Sequence, residues 1–406
     1  MQNNLIVIKF GGSCLSSPET IISASKKVAK EVNGGKPVIV VVSALRGVTD
    51  QLIGLAEGST NTKISREDMD DIVSMGERTA ARLMAGSLKS LNVKTLAIDP
   101  SSKYWPVFTD STFGNAVVDL KKTCKIVNNK LLPLLKKGYT LVIAGFIGVS
   151  PKGRVTTLGR GGSDITAVLL GKCLDAVEVI FVKDVGGVLS ADPKKVASPQ
   201  KIDQLMAEEA YTLASAGAKI IHPKALTYKK NSTILRVVGF DSPDLRSGTI
   251  ITGELKSELE AELHESSLSM ITLITNNGSL IKISKVISES SERETDILGL
   301  TFSSSSVLLY VQNPVDLVQN LHEKIKTEGI AKAIHCVDSL AMIVVSGYRL
   351  ESIPGVIDAV VSPLAKAKIN LYGVFTISSS IRIFVQWDDR EKVLLLIQSI
   401  LDKFKE

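Results

Sequence analysis

"LIVIKFGGSCL", residues 5–15, joins an apolar run to a lysine and a pair of glycines. Apolar residues without alternation suit a strand covered on both faces, as in the middle of a parallel sheet. Lys9 stands near the end of that run, with Gly11, Gly12 and Ser13 directly after it. Alone, this is no more than a strand end and a tight turn. Two later stretches repeat the arrangement: "TLGRGGSDITAVLLG", residues 157–171, and "FVKDVGGVLSADPKK", residues 181–195. In the first of these, glycines lead into an amphipathic helix whose free N–H groups and dipole attract an anion. Open α/β sheets bind ligands at the carboxyl ends of their strands, so three such turns read as parts of one phosphate site. Neither G-x-x-x-x-G-K-[ST] nor G-x-G-x-x-G occurs, which disfavours a dehydrogenase and favours phosphoryl transfer on another architecture.

Outward from residue 5, further β-branched runs alternate with helical patterns as far as about residue 240: "PVIVVVSA", "KTLAID", "TLVIAG", "VEVIFV" and "TILRVV". One helix is expected from "SSPETIISASKKVAKEV", with Ser17 as cap and Pro18 in the first turn, where a missing N–H costs nothing. Another is expected from "SREDMDDIVSMGERTAARLMAG", with Ser65 as cap and acidic residues where the helix dipole favours them. These patterns predict an α/β/α sandwich with a mainly parallel sheet over residues 1–255.

At 406 residues the chain is long enough for two or three domains. Its charge of +6 is spread rather than blocked, and aromatics are only 5%, which argues against a nucleic-acid partner. No run reaches the ~20 apolar residues of a membrane span, and the start shows no signal-peptide pattern, so a cytoplasmic protein is expected. Cys14, Cys124, Cys173 and Cys336 lie far apart without metal-site spacing, and are expected as reduced, structural thiols.

Beyond the polar stretch "GELKSELEAELHESS" the pattern changes; a boundary is expected near residue 262, within a linker over 256–267. At an offset of 74 residues, "DILGLTFSSSSVLLYVQ" falls on "NLYGVFTISSSIRIFVQ": Gly299 matches Gly373, Ser304 to Ser306 match Ser378 to Ser380, and Val311-Gln312 match Val385-Gln386. Upstream, Ile283 falls on Ile357 and Val286 on Val360. A tandem duplication of a small α+β unit is expected, over 268–338 and 339–406, each copy reading helix, strand, polar turn, strand, helix.

"VIKFGGSCL", "VVSALRGVTDQLIGLAEG", "SMGERTAARLMA", "TLGRGGSDITA", "KDVGGVLSADP" and "AGAKIIHPKAL" occur in the order found in aspartate kinases. Over residues 5 to about 250 the chain thus resembles that branch of the amino acid kinase family, and the duplicated tail resembles its paired ACT regulatory domains. The resemblance implies transfer of the γ-phosphoryl of ATP, with Mg²⁺, to the side-chain carboxylate of L-aspartate, giving 4-phospho-L-aspartate for lysine, threonine and methionine synthesis. A carboxylate nucleophile is already ionised and needs no general base, so catalysis reduces to alignment and charge neutralisation. That suits Lys9, with Phe10, Gly11, Gly12 and Ser13 about the phosphates. By the same resemblance Arg160 takes a substrate carboxylate in a bidentate fork, Glu77 takes the ammonium, and Ser43, Thr49 and Ser163 hydrogen-bond the substrate. Asp164 either binds that ammonium or holds lysines by ion pairing. Lys183, Asp184, Gly187, Ser190, Asp192, Lys194, Lys219 and Ile220 fall on the nucleotide stretch, Lys219 as a second phosphate-facing lysine. Lys183 stands where many members have threonine and Leu189 where an aromatic often packs. No carboxylate cage is evident, so the metal is expected on phosphates and water. His222 reads as a packed or hydrogen-bonded structural histidine.

The ACT resemblance implies an amino-acid effector (lysine, threonine or methionine) and at least a homodimer, with effector contacts near Gly278 and Asp296 or near Asn370. Kinases of the same fold acting on glutamate, acetylglutamate, carbamate or a nucleoside monophosphate are the nearest alternative, and an idle amino-acid sensor the next. The Ser43-to-Thr49 and Arg160-to-Asp164 motifs favour aspartate, and retention of Lys9, Arg160 and Asp164 favours an active enzyme.

Overall fold

The computed structural model describes residues 4–60, 63–255, 259–275, 280–291, 296–347, 350, 354–377 and 379–401, without the side chains of 280 and 289–291. It divides into two compact units, residues 1–255 and 256–406.

In the first unit the strands are β1 (Ile6–Phe10), β2 (Val38–Val42), β3 (Thr95–Ile98), β4 (Thr140–Ala144), β5 (Ile147–Val149), β6 (Val155–Thr157), β7 (Glu178–Lys183), β8 (Val188–Leu189), β9 (Lys201–Ile202), β10 (Gln204–Met206), β11 (Ile234–Gly239) and β12 (Thr249–Thr252). Its helices are α1 (Pro18–Asn33), α2 (Val48–Gly58), α3 (Arg66–Ser90), α4 (Leu120–Ile126), α5 (Leu132–Lys136), α6 (Gly162–Leu174), α7 (Ala207–Ser215) and α8 (Pro223–Leu226). The main sheet runs β10-β12-β11-β7-β1-β2-β4-β3, every pair parallel except β11 with β12. The expected apolar runs all became strands of this sheet. β1 and β2 are buried along their whole length, and Lys9 sits in register between Val41 and Phe181. Each fully buried Val or Ile there contributes about 1.5–3 kcal/mol relative to exposure.

Helix caps follow the sequence. Ser17 accepts from the Thr20 N–H while the Ser17 N–H donates to Thr20 Oγ1, with Pro18 opening α1. Ser65 accepts from the Asp68 N–H at 3.0 Å and starts α3. α1 and α3 pack together, whereas α6, buried almost throughout, lies against β1 and β7 and meets α4 and α8. Because β2 lies on one side of β1 and β7 on the other, the order in which strands are added across the sheet reverses at β1, and the carboxyl end of such a strand is where an α/β sheet opens its ligand crevice.

The cysteine expectation is corrected for one pair. Cys124 of α4 and Cys173 of α6 form a disulfide 49 residues apart in sequence, leaving Cys14 and Cys336 as free thiols. Spacing could not reveal it, because the pairing comes from two helices packing side by side. The Asn128 side chain bridges the same two residues, donating to the carbonyls of Cys124 and Cys173 at 2.9 and 3.0 Å. Among the described residues no helix is long and apolar enough to cross a membrane.

The second unit contains β13 (Glu260–Leu263), β14 (Leu268–Thr275), α9 (Leu280–Ser291), β15 (Ile297–Phe302), β16 (Ser306–Val311), α10 (Val315–Glu328), β17 (Ala331–Ser346), α11 (Val356–Lys366), β18 (Gly373–Ile377), β19 (Ser380–Gln386) and α12 (Arg390–Leu401). Its sheet runs β15-β16-β14-β17-β19-β18, with β13 also on β17. Both copies show the expected helix, strand, turn, strand, helix order. They are not separate beads: β17 is continuous, its first part paired with β14 and its last with β19 and β13, so a division at 338/339 falls inside a strand. The stretch read as a linker carries β13, and its Ala261 enters the second copy's core.

The duplication is visible in the packing. Tyr310 and Phe384, one offset apart, stack with ring centroids 3.9 Å apart, and Phe375 meets both edge-on. Gly299 and Gly373 both lie against Tyr310, whose hydroxyl donates to Tyr372 O at 2.6 Å. The helical match is looser than the offset implied. Ile283 is buried but Ile357 is 48% exposed, since α11 turns Val356, Val360 and Leu364 inward. Asp296 and Asn370 are both exposed, and Gly278 lies outside the described residues.

Candidate active site

β1 delivers Lys9 into the first unit's crevice with only 7% of its surface exposed. A buried ammonium requires a counter-charge, and the third residue of α6 supplies it: Lys9 Nζ lies 2.8 Å from Asp164 Oδ1. Asp164 Oδ2 also accepts the His222 N–H at 3.1 Å. Burial alone would raise the Asp164 carboxyl, but the Lys9 and Lys183 charges and the hydrogen bond from Lys9 outweigh it and bring it down to about 2. Lys183, at the end of β7, has its pKa lowered by burial, against the pull of Asp164, and its Nζ donates to Lys219 O at 3.5 Å. Two lysines from adjacent parallel strands thus share one aspartate.

The glycines differ in purpose. A Cβ on Gly12 would meet Ala44 O at 2.7 Å, so that glycine lets two strand-end loops pass. A Cβ on Gly11 would find only ordinary contacts at 3.8 Å, one of them Lys9 Nζ, so no close approach of another segment demands this glycine. Gly161, with φ +73°, underlies the helix start because any Cβ there would strike the His222 ring. Gly145 gives room to the buried Ser163.

Glu77 is 4% exposed on α3. Burial pushes its carboxyl up to about 7, against the Ala44 backbone N–H and the Lys9 charge. Its Oε2 has no hydrogen-bond partner among the described residues. Gly76, directly before it, lets α3 approach, since a Cβ there would lie 2.7 Å from Ala44 Cβ. A buried carboxyl with one unpartnered oxygen can take up a further hydrogen-bond donor or cationic group.

The structure brings together Lys9, Gly11, Glu77, Ser163, Asp164 and Lys183, with Cys14 alongside, its thiol donating to Val182 O at 3.4 Å. Ser43 and Thr49 flank the loop between β2 and α2 and are partly exposed; the Ser43 N–H donates to Phe10 O at 3.2 Å. Ser13, Arg160, Asp184 and Lys219 are exposed, and Arg160 forms no ion pair with the described residues. Phe10 and Ile220 bury their side chains in the core, which leaves only their backbone for a ligand. Ser190 and Asp192 spend hydrogen bonds on their own loop, accepting from the Gln200 and Lys194 N–H groups. Gly187, at φ +141°, brings the chain down beside Thr249. His222 caps α8, its Nδ1 accepting from the Lys224 N–H at 3.3 Å. Among the described residues no group of three or more His, Cys, Asp or Glu is placed to hold a metal.

Sequence reasoning missed Ala44, whose N–H faces Glu77, and Asp70, a fully paired carboxylate 3% exposed on α3. Nothing local marks either. Asp70 is one of several acidic residues in "REDMDD", and only the fold shows that it alone turns inward.

Comparison with known proteins bears on the family of the chain. The pattern of the amino acid kinase family matches residues 4–239, and that of the ACT domain matches residues 335–399. An aspartokinase of Geobacillus stearothermophilus is 31% identical over 377 residues, covering 90% of this chain and 89% of that protein. The crystal structure of aspartate kinase from Synechocystis superposes with a TM-score of 0.76 at 24% identity, over 98% of this chain and 69% of that one. Escherichia coli aspartokinase III, crystallised in complex with aspartate and ADP, does so with 0.57 at 24% identity, over 98% and 100%. The chain belongs to the amino acid kinase family, among its aspartokinases, with an ACT domain in its C-terminal part.

Proposed function

We propose that the chain transfers the γ-phosphoryl group of ATP to the side-chain carboxylate of L-aspartate, forming 4-phospho-L-aspartate for lysine, threonine and methionine synthesis. The observation that carries this reading is the buried Lys9–Asp164 pair at the switch point of a parallel sheet, with Lys183 beside it and Glu77 opposite. Lys9 neutralises charge on the transferring phosphoryl, a role in which one preorganised donor is worth about 10²–10³ in turnover. Asp164 holds that lysine in place by its ion pair, the second of the two roles expected for it. Ionised Glu77 receives the substrate ammonium, Arg160 its α-carboxylate, and Ser43, Thr49 and Ser163 supply hydrogen bonds. The backbone of residues 10–13, with Lys183, Asp184, Gly187, Ser190, Asp192, Lys194, Lys219 and Ile220, lines the nucleotide side. Mg²⁺, when bound with the nucleotide, would neutralise phosphate charge and would be held mainly by phosphate and water. The ACT region would bind an amino-acid effector near Gly278 and Asp296 or near Asn370, in a homodimer or larger assembly.

Trapping the acyl phosphate with hydroxylamine, with aspartate and glutamate assayed side by side, tests the reaction. Hydroxamate from aspartate alone is expected; equal rates with both, or none with either, overturn it. Added lysine, threonine or methionine, singly or paired, is expected to slow the aspartate reaction. Indifference to all of them would leave the tail as an assembly module.

A further inference from the structure

Asp70 lies seven residues before Glu77 on α3, so the two carboxylates share one helix face two turns apart. It is buried, yet among the described residues no hydrogen bond or ion pair joins it to Lys9, Asp164 or Lys183. Its oxygens are spent elsewhere. Oδ2 accepts the N–H groups of Gly114 and Thr157, each at 2.8 Å, and Oδ1 accepts the Thr157 hydroxyl at 2.8 Å. Thr157 ends β6, three residues before Arg160 and seven before Asp164. Its carbonyl accepts the Ala116 N–H at 2.8 Å, so the turn at 110–118 is tied in as well. From that turn Asn115 occupies the space a Cβ on Gly159 would need, Gly159 standing at φ +75°, and its Oδ1 accepts from Lys224. One carboxylate on the helix of Glu77 therefore anchors the strand that launches the Gly159–Asp164 segment.

We propose that Asp70 is a positioning residue that sets the distance between the ammonium end of the amino-acid pocket, Glu77, and its carboxylate end, Arg160, and thereby the pocket's preference for a four-carbon over a five-carbon acidic amino acid. This rests on the aspartate reading above. Three charge-assisted hydrogen bonds are stronger than neutral ones and share one rigid acceptor. They convert the placement of two separately encoded side chains into a single fixed spacing. Substrate discrimination by one methylene is small unless such spacing is held, and misplacement by about 1 Å costs up to about a hundredfold.

The test compares Asp70→Ala, Asp70→Asn and Thr157→Val with the unaltered chain, measuring KM for aspartate, KM for ATP and the aspartate-to-glutamate ratio of kcat/KM. Asp70→Ala is expected to raise the aspartate KM about tenfold or more and to narrow the glutamate ratio, with the ATP KM unchanged. Asp70→Asn restores most of this, because its carbonyl keeps both N–H donors and its amide donates to a Thr157 hydroxyl that can turn round. Thr157→Val, which loses one bond and stays folded, shows a severalfold rise in the same direction. A merely structural role would lower the melting temperature and leave both KM values and the ratio alone; that result overturns the proposal. If Asp70→Ala does not fold, an unchanged aspartate KM and glutamate ratio in Thr157→Val overturns it equally. Failure of the unaltered chain to phosphorylate aspartate would instead refute the underlying reaction.

Discussion

Replacing Glu77 by glutamine separates the energetic cost of this site from its use. Burial lifts the Glu77 carboxyl from 4.5 to about 7, and each pH unit of displacement is worth about 1.36 kcal/mol, so ionising it at this buried position costs about 3 kcal/mol. The sign follows from linkage. Below pH 4.5 the acid is protonated in folded and unfolded chains alike, and no penalty exists. Between 4.5 and about 7 the unfolded chain ionises while the folded one resists, so stability falls as pH rises. Above about 7 both forms are ionised and the penalty is constant. Glutamine cannot ionise, and it keeps an oxygen for the Ala44 N–H. Relative to the unaltered protein, Glu77→Gln should therefore gain about 3 kcal/mol between pH 4.5 and pH 8, read as the change in the difference of their urea unfolding free energies. Taking that difference removes the other titrating groups and any fixed cost of seating the amide where Oε2 has no partner. The same substitution should raise the aspartate KM about a hundredfold while sparing the ATP KM, because a charged acceptor for the ammonium is lost. In the unaltered enzyme the aspartate KM should worsen about tenfold for each pH unit below 7, and the variant should lack that slope. A stability difference that does not move between pH 4.5 and pH 8 would refute the account of Glu77.

Lys9→Ala should fold and lose about 10²–10³ in kcat by stopped-time hydroxamate assay; near-normal turnover would remove the lysine from the chemistry. Asp164→Asn leaves the Lys9 ammonium buried without its counter-charge and should cost about 3–5 kcal/mol at pH 7. Most of that should return in Lys9→Met/Asp164→Asn, and with Lys9→Met completing the cycle, strictly additive unfolding energies would contradict the ion pair. Because the folded Asp164 carboxyl lies at about 2 against 3.8 unfolded, its stabilising contribution is full above pH 3.8 and is lost as pH falls through about 2. Reducing Cys124–Cys173 releases a constraint spanning 49 residues, which should lower stability by up to about 4 kcal/mol. Titration of the denatured, unreduced protein should find two reactive thiols, and four would disprove the bond.

Much of the architecture was legible because local chemistry and tertiary environment demanded the same residues. β1, β2 and β7 read as unbroken apolar runs because both faces of each are covered. Ser17-Pro18 and Ser65 announced their helices because caps are satisfied within one turn. The repeat was legible where side chains meet their own counterparts, as at Tyr310 and Phe384, and slipped at Ile357, where a helix can rotate while its sequence offset stays the same. β13 was hidden because "ELEAEL" looks like solvated polar chain until β17 is there to pair with it.

Read along the chain, the sequence was enough to place the strands of the parallel sheet and the starts of its main helices, since these depend on period and capping; Lys9, Glu77 and Asp164 were singled out only because the motifs around them resemble those of aspartate kinases. The tertiary structure alone decided that Asp164 spends its charge on Lys9, that Glu77 is held near neutrality, that Asp70 ties α3 to β6, and that Cys124 meets Cys173. Each of these is an interaction between elements distant in sequence, and its strength comes from burial and from a partner's approach, which only the folded chain provides.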